Sequence, residues 1–339
     1  PTSGYWVKVN AGSQLCLEGA TTLDASATTY SLHFGANLIS FPNEDPVDLA
    51  DAIPDDVEGA FTGVIGEGVA ASPNPVLGWV GSLSAVDQTS GYWVKVNAGS
   101  SLCISDATPL DASEVTYDLH FGANLISFPN EDAVGLADAI PDDVEGAFTG
   151  VIGEGVAASP NPVLGWVGSL SAFEGGRGYW AKVDEAISFE FIVDGSSERS
   201  FYGQYNDIGF EYNQSTEQAF YFVEDVVFQD GSSIEEGDIL LAYNNNVLVG
   251  GREWMGSYTD IPAMGYDGSD LTIGYCDSYS APTFKIIKAS TGAEYVVDSN
   301  IPNWSSNGIF NVGTMYAYVP AEYGISEVYP NPFNPAANI

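Results

Sequence analysis

Short stretches in which apolar residues alternate with polar ones recur along the first half of the chain. Residues 30–41 and 91–96 are rich in aromatic and β-branched side chains, and residues 61–65 and 78–83 are short apolar runs bounded by glycine. Successive side chains of a strand point to opposite faces, so this alternation is typical of half-buried strands. The pattern therefore predicts a mainly β protein.

One stretch predicts a short helix instead. Residues 47–53 place apolar side chains at helical spacing, Pro46 suits the first helical position, Asp45 can cap it and Pro54 would end it. Ala133 stands where Pro46 would recur, so the start signal is weaker there. We expect one or two helical turns in each such segment.

The chain contains a tandem repeat. The string GYWVKVNAG occurs at residues 4–12 and 91–99, and a drifted copy, GYWAKVD, follows at residues 178–184, with an offset of 87 each time. Residues 4–90 and 91–177 differ at 15 positions and match at the other 72. Loops usually drift faster than core positions. Matching loops therefore indicate either a recent duplication or an array lengthened by copying.

Beyond the repeats the pattern changes to a different β domain. The predicted strands are residues 219–228, 238–243, 247–250, 271–276, 283–289 and 294–297, with polar turns at residues 244–246 and 290–292. The predicted fold class is thus mainly β, with tandem small β-sandwich or barrel repeats of 87 residues followed by an Ig-like β-sandwich. The predicted divisions are residues 1–29 (the end of a truncated repeat), 30–116, 117–194, 195–320 (the sandwich) and 321–339 (a C-terminal tail).

Charge excludes two classes of partner. The 339 residues include 46 acidic and 8 basic side chains, a net charge of −38. Such a polyanion does not bind nucleic acid through phosphates, and it does not bind an anionic membrane through a basic patch. No run of 18 apolar residues occurs, so we expect no helical membrane insertion.

Cysteine usage leaves pairing open. Cys16, Cys103 and Cys276 are too few for a disulfide framework and form no CxxC motif. Cys16 and Cys103 occupy one repeat position, where we expect an outward or interfacial side chain. That thiol would be inert or would form a disulfide with a neighbouring unit or chain.

Catalytic motifs are missing from the sequence. The two histidines, His33 and His120, are one position in two repeats, which indicates a structural role. Neither a GxSxG elbow nor a P-loop is present, and no pair of acidic residues stands out as catalytic. We therefore expect that the protein is not an enzyme.

Acidic clusters suggest a calcium site. Hard oxygen ligands bunched in loops suit Ca²⁺, although the spacing is not that of an EF-hand loop. A solvated acidic face with helix caps is the alternative. The candidates are Asp45, Asp48, Asp51, Asp55 and Asp56, their counterparts Asp132, Asp138, Asp142 and Asp143, and Asp267 and Asp270 near Asp260.

Tryptophans offer a second kind of binding surface. Trp254 and Trp304 are candidates for exposed aromatic rings that stack on sugars, with burial in a core as the alternative. In GYWVKV, Tyr and Val share one face and Trp93 the other, so we expect Trp93 to pack in the core or against a neighbouring unit.

The C-terminus carries a recognisable motif, YPNPFNP. Its residues are Tyr329, Pro330, Asn331, Pro332, Phe333, Asn334 and Pro335. This closely resembles the opening of the C-terminal sorting domain of type IX secretion substrates, which implies export to the outer cell surface or the medium. The stretch from GDILLAYNNN to DGSDLTIGY also resembles a β-sandwich module of large secreted proteins from Bacteroidetes-type and related environmental bacteria.

Two functions from different classes follow. The first is an extracellular structural or adhesive repeat protein that assembles head to tail, its partners being copies of itself or neighbouring repeats. The unpaired strands of the truncated first repeat would complete the next unit by strand addition. The alternative is a carbohydrate-binding or accessory region of a larger secreted enzyme, with a polysaccharide as the partner.

Overall fold

A computed structural model describes residues 29–41, 43–103, 115–193 and 208–319. We refer to residues 29–103 as unit 1, residues 115–193 as unit 2 and residues 208–319 as the third domain. Almost all of the predicted truncated repeat, with Cys16, lies outside the described residues. The sorting motif at residues 329–335 lies outside them too.

Unit 1 is built on a five-stranded antiparallel sheet in the order β2-β8-β4-β5-β6. Strands β1 with β9 and β3 with β7 form two short ribbons beside it. The strands are β1 (Thr29–Leu32), β2 (Gly35–Ser40), β3 (Val47–Asp48), β4 (Phe61–Gly66), β5 (Val69–Asn74), β6 (Gly78–Gly81), β7 (Ala85–Val86), β8 (Gly91–Val96) and β9 (Ser100–Cys103), and the one-turn helices are α1 (Leu49–Ala52) and α2 (Asp55–Glu58).

Unit 2 repeats this arrangement, with the sheet order β11-β17-β13-β14-β15. Its strands are β10 (Thr116–Leu119), β11 (Gly122–Ser127), β12 (Val134–Gly135), β13 (Phe148–Ile152), β14 (Ala157–Asn161), β15 (Gly165–Gly168), β16 (Ala172–Phe173), β17 (Gly178–Val183) and β18 (Ile187–Glu190), and its helices are α3 (Leu136–Ala139) and α4 (Asp142–Glu145). The mainly β class predicted from the alternation is confirmed.

The predicted helix is shorter than its pattern suggests. Helix α1 begins at Leu49, not at Pro46, and its N-cap residue Asp48 makes no side-chain capping bond. Residues 47–48 instead pair with β7 as a strand. The residues that the local sequence pattern predicts as the helix start therefore form a strand pair with β7 instead. Asp45 is not the N-cap residue of α1.

The third domain is a single seven-stranded sheet in the order β21-β20-β23-β24-β25-β19-β22. The end strands β21 and β22 follow one another in the chain and lie side by side, so the sheet curls into a nearly closed barrel. The strands are β19 (Gln218–Phe228), β20 (Ile239–Asn244), β21 (Val247–Glu253), β22 (Thr259–Met264), β23 (Thr283–Ile287), β24 (Glu294–Val297) and β25 (Gly308–Tyr318).

Two strands of this sheet are absent from the sequence prediction, and one predicted strand is not formed. Strand β22 contains Pro262, a residue that usually argues against a strand, but β22 lies at the end of the sheet where Pro is tolerated. Strand β25 runs parallel to β19, unlike the antiparallel strands of an Ig-like sandwich. The predicted strand at residues 271–276 is instead a 3₁₀ turn at Asp270–Thr272 followed by loop.

A buried ion pair joins the third domain to unit 2. Arg252 Nη2 lies 3.0 Å from Asp260 Oδ2, and Asp260 also accepts hydrogen bonds from the amide (2.8 Å) and hydroxyl (2.7 Å) of Ser169 in unit 2. Arg252 Nη2 reaches across to the carbonyl of Gly155, 2.8 Å away. Burial raises the pKa of Asp260, while Arg252 and Ser169 oppose that rise. The pair is therefore both a core element and an interdomain contact.

We predict that Asp260→Ala lowers the free energy of unfolding by about 3–5 kcal/mol, because it leaves the Arg252 guanidinium buried without its counter-charge. Urea unfolding followed by tryptophan fluorescence measures this. Glu253→Ala, which removes an exposed carboxylate from the same strand as Arg252, is the control and should change the stability by less than about 0.5 kcal/mol. Equal effects of the two substitutions would contradict the prediction.

Candidate functional site: the face between the two repeats

The two units exchange equivalent side chains across their contact. Nε2 of His33 in unit 1 lies 2.5 Å from Oε1 of Glu154 in unit 2. Nε2 of His120 in unit 2 lies 2.6 Å from Oε1 of Glu67 in unit 1. His120 is His33 advanced by 87 residues, and Glu154 is Glu67 advanced by 87. The same pair is therefore made twice, once in each direction.

Each glutamate also holds a backbone amide of the opposite unit. The second oxygen of Glu154 accepts a hydrogen bond from the amide of Leu38, and that of Glu67 accepts one from the amide of Leu125, both at 2.8 Å. These amides belong to β2 and β11, whose strands begin just after the histidines. A single carboxylate thus holds both the histidine and the middle of the strand that follows it.

An apolar cluster fills the space between these polar contacts. Trp93, Leu38, Ala36 and Leu125 are buried together, and Trp180 packs against them. This is the inter-unit packing that the alternation in GYWVKV favours for Trp93. The cluster is separate from the core of each unit, which takes the Tyr and Val side chains of the same strand.

The backbones of the two units also meet directly. The amide of Ser40 donates to the carbonyl of Gly176 and the amide of Ser127 to that of Thr89, both at 3.0 Å. A Cβ placed on Gly91 would lie 2.8 Å from the carbonyl oxygen of Ile126, and one on Gly178 would lie 2.8 Å from that of Ile39. Only glycine allows this approach. All these contacts are reciprocal, as across a two-fold axis.

The third domain covers one half of this face. Gln218 donates to the carbonyl of Gly153 (2.8 Å) and accepts from the amide of Gly155 (3.2 Å), the two neighbours of Glu154. The side chain of Glu154 is consequently only 4% exposed, whereas that of Glu67 is 39% exposed. The two equivalent glutamates therefore differ in solvent exposure, because the third domain covers only the one in unit 2.

The repeated lysine position reaches the third domain from both units. Nζ of Lys95 lies 2.9 Å from Oδ2 of Asp267, and Nζ of Lys182 lies 2.5 Å from the carbonyl oxygen of Asn307. Burial alone raises the pKa of Asp267, but hydrogen bonds from Lys95 and Thr272 together with the charge of Lys95 lower it to about 2. The lysines inside GYWxKV thus connect both unit 1 and unit 2 to the third domain.

The predicted calcium ligands do not come together as a cluster. The nine aspartates of the two repeats are exposed, Asp267 pairs with Lys95, and Asp270 is exposed at the start of the 3₁₀ turn. Across residues 29–319, outside the gaps in the description, no three His, Cys, Asp or Glu side chains are placed to share a metal ion. Calcium binding stays a prediction without a located site.

The aromatic candidates of the third domain are wrong as surface sites. Trp254 is 7% exposed and Trp304 is 4% exposed, and both belong to the core cluster of that domain. Nε1 of Trp304 donates to the carbonyl of Ala263 at 2.8 Å. Both rings fill the interior of the curled sheet, so neither can stack on a sugar.

Cys276 is buried in the same core as a free thiol. Burial, with a smaller effect from Asp277, raises its pKa to about 12. Its thiolate is therefore scarce at neutral pH, and reactivity is low. Cys103 ends β9 opposite Thr29.

Sequence reasoning misses the two glutamates at the centre of this face. Glu67 and Glu154 lie in the turns GEG between β4 and β5 and between β13 and β14. Glycines on both sides suggest a phosphate-binding loop, which the missing lysine excludes. One feature of the sequence points to these glutamates: Glu67 recurs as Glu154 at the same offset of 87 residues at which His33 recurs as His120.

We predict that Gly91→Ala combined with Gly178→Ala opens the contact between the units, because each new methyl group would meet a carbonyl oxygen of the other unit. The expected loss of stability is about 1–3 kcal/mol. Amide exchange of Ser40 and Ser127 should accelerate. Gly59→Ala, where no atom lies within 4 Å of the added Cβ, is the matched control. Unchanged exchange at both serines in the double variant would contradict the close approach.

We predict that the two histidines stabilise the fold mainly at mildly acidic pH. Burial lowers the pKa of His33, but Glu154 outweighs this and raises it; the Phe121 carbonyl and Glu67 raise that of His120. A raised folded pKa gives a contribution that is complete below the ordinary value of 6.5 and is lost as the pH rises through the folded value.

Thermal unfolding of the wild type and of His33→Gln/His120→Gln, from about pH 5 to 9, measures this. The wild type should exceed the variant most at the acidic end. A difference that is independent of pH, or that grows toward alkaline pH, would contradict the assignment.

Comparison with known proteins adds no further constraint. No protein-family model, no curated protein and no solved structure matches this chain.

Proposed function

We propose that this chain is a non-catalytic structural and adhesive protein of the outer cell surface or the extracellular medium. One observation supports this most: the side chains most suited to chemistry are engaged in holding the units together. Both histidines pair with a glutamate of the opposite unit. The other ring nitrogen, Nδ1, contacts the carbonyl of Phe34 in His33 and that of Phe121 in His120, both at 2.8 Å. With both nitrogens engaged, neither histidine has a free ring nitrogen to offer a substrate as an acid or base.

The basic side chains follow the same rule. Each of those in the described ranges contacts an acidic group or a carbonyl of the same chain, and three of them, Lys95, Lys182 and Arg252, reach into a different unit. The six are Lys95, Arg177, Lys182, Arg252, Lys285 and Lys288. Such engagement favours a rigid building block over a catalytic surface, and it leaves trypsin few accessible cleavage sites.

The extracellular location is supported by the resemblance of YPNPFNP to a sorting motif, carried by residues beyond those described. The helices in the described part are single turns, and none is long and apolar enough to cross a membrane. The strongly acidic surface suits a setting of high ionic strength.

Assembly beyond one chain would use a surface other than the face between the units. Each unit uses the same surface to contact the other unit, so both copies of that surface are already covered. Neither copy is left to bind a further unit. Val76 and Leu77 in unit 1 and Val163 and Leu164 in unit 2 are among the most exposed apolar residues of the units, and they form adjacent pairs at the tips of the β5–β6 and β14–β15 hairpins. We propose these hairpin tips as the adhesive and self-assembling surface, in place of strand addition by residues 1–29.

This proposal predicts assembly that depends on salt. At about 0.5 M NaCl the Debye length is about 4 Å and acidic copies can approach, whereas at about 0.01 M it is about 30 Å and they repel. Light scattering on the full chain should show larger assemblies at high salt, visible as fibres or particles by negative-stain electron microscopy.

Val76→Ser/Leu77→Ser/Val163→Ser/Leu164→Ser should abolish the assembly. Tyr279→Ser, an exposed aromatic of the third domain, is the control. A chain that stays monomeric at both salt concentrations would contradict the self-assembling part of the proposal, and equal loss in the control would exclude the tips as the surface.

A further inference from the structure

A pocket of about 290 Å³ lies beneath the hairpin tip of unit 2. Its lining combines ring faces with two polar side chains, and the residues are Glu145, Phe148, Pro160, Asn161, Pro162 and Trp166. No contact with unit 1 or the third domain is needed to form it. It stands apart from the face between the units.

Trp166 and Glu145 form the polar corner of this pocket. Nε1 of Trp166 donates to Oε1 of Glu145 at 2.7 Å, and the indole ring meets Phe148 edge to face, with centroids 6.3 Å apart. The ring is partly exposed, so one part belongs to the core and another to the pocket. The bond to Trp166 uses one carboxylate oxygen and leaves the other for a ligand.

Unit 1 contains the same residues in a different state. Residues 49–85 are identical to residues 136–172, so Glu58 and Trp79 stand where Glu145 and Trp166 stand. Nε1 of Trp79 is buried and has no hydrogen-bond partner in the described structure. Identical sequences thus make the indole–carboxylate bond in unit 2 and not in unit 1, so the fold of a unit does not require this bond.

The wall of the pocket is ordered in advance. Oδ1 of Asn161 accepts hydrogen bonds from the amides of Val163 (3.0 Å) and Leu164 (3.1 Å), and Gly165 has φ +74°. Asn74 makes the same two bonds in unit 1, at 2.9 and 3.0 Å. A wall that is already in place costs little conformational entropy on binding.

The chemistry of this lining fits a sugar. Flat aromatic and proline rings accept the C–H face of a pyranose, and a carboxylate beside an amide side chain accepts and donates hydrogen bonds at its hydroxyl edge. The carboxylate, in a chain of net charge −38, repels anionic saccharides. The favoured ligand is therefore a neutral saccharide.

We propose that each unit carries a binding site for a neutral polysaccharide at this pocket, one at Trp79 with Glu58 and one at Trp166 with Glu145. The inference rests on the proposed adhesive function, since it names a partner for the hairpin-tip surface. Two sites in one chain can engage one long polymer together, which raises the overall affinity without any new contact.

The test is affinity electrophoresis of the full chain in gels containing laminarin, a neutral β-glucan, or hydroxyethylcellulose, with alginate as the anionic counter-probe. Glu58→Gln/Glu145→Gln keeps the shape of each side chain and removes its charge, and Glu185→Gln, at an exposed acid of unit 2, is the matched control. We expect retardation by a neutral polymer, weakened about tenfold or more in the double variant and unchanged in the control. Trp79→Phe/Trp166→Phe should weaken binding while preserving the edge-to-face packing.

Three outcomes would overturn the inference: no retardation by either neutral polymer, equal retardation of the double variant and the wild type, or preference for alginate. Salt-dependent assembly without retardation would leave the proposed structural function in place and refute only the saccharide site. Retardation of a chain that never assembles would refute self-assembly and retain the saccharide site.

Discussion

The scarcity of positive charge limits how the parts of this chain can meet. With 46 acidic and 8 basic side chains, surfaces that meet would ordinarily repel. Three of the six basic side chains in the described ranges reach another unit: Lys95 contacts Asp267, Lys182 contacts Asn307 and Arg252 contacts Gly155. Protonated His33 and His120 would each face a glutamate of the opposite unit. Because these contacts are partly or fully buried, salt screens them less than it screens the exposed acids. Attraction therefore persists at the junctions when repulsion elsewhere is reduced.

The pairing of the units explains why particular residues are the same in both repeats. A face that contacts an equivalent face requires the histidine, the glutamate and the close glycine in both copies, so a change in one copy breaks a contact made by the other. Glu67 lies in a turn, and its role accounts for preservation there where loops generally drift. The third domain then breaks the equivalence, since it buries Glu154 and leaves Glu67 partly exposed.

Part of this site follows from sequence pattern alone. The alternation in GYWVKV placed Trp93 on the face opposite Tyr92 and Val94, and it is there that the units meet. The contacts made by that face could not be predicted in the same way, because His33 and Glu154 are 121 residues apart and no local pattern connects them. For the same reason Trp254 and Trp304 looked like surface aromatics: their burial depends on the curling of a sheet whose strands β22 and β25 had no clear local signal.

Local patterns were enough to predict the β class and the two faces of the repeated strand, because each depends on residues close together in the chain. The period of 87 residues is visible when the chain is compared with itself. Folding was needed to show that the units pair reciprocally, that β3 displaces the start of the predicted helix, and that Lys95, Lys182 and the histidines join one unit to another. Those outcomes depend on which surfaces become neighbours after folding. In a chain with so few cations, the folded neighbourhood of each one decides its role.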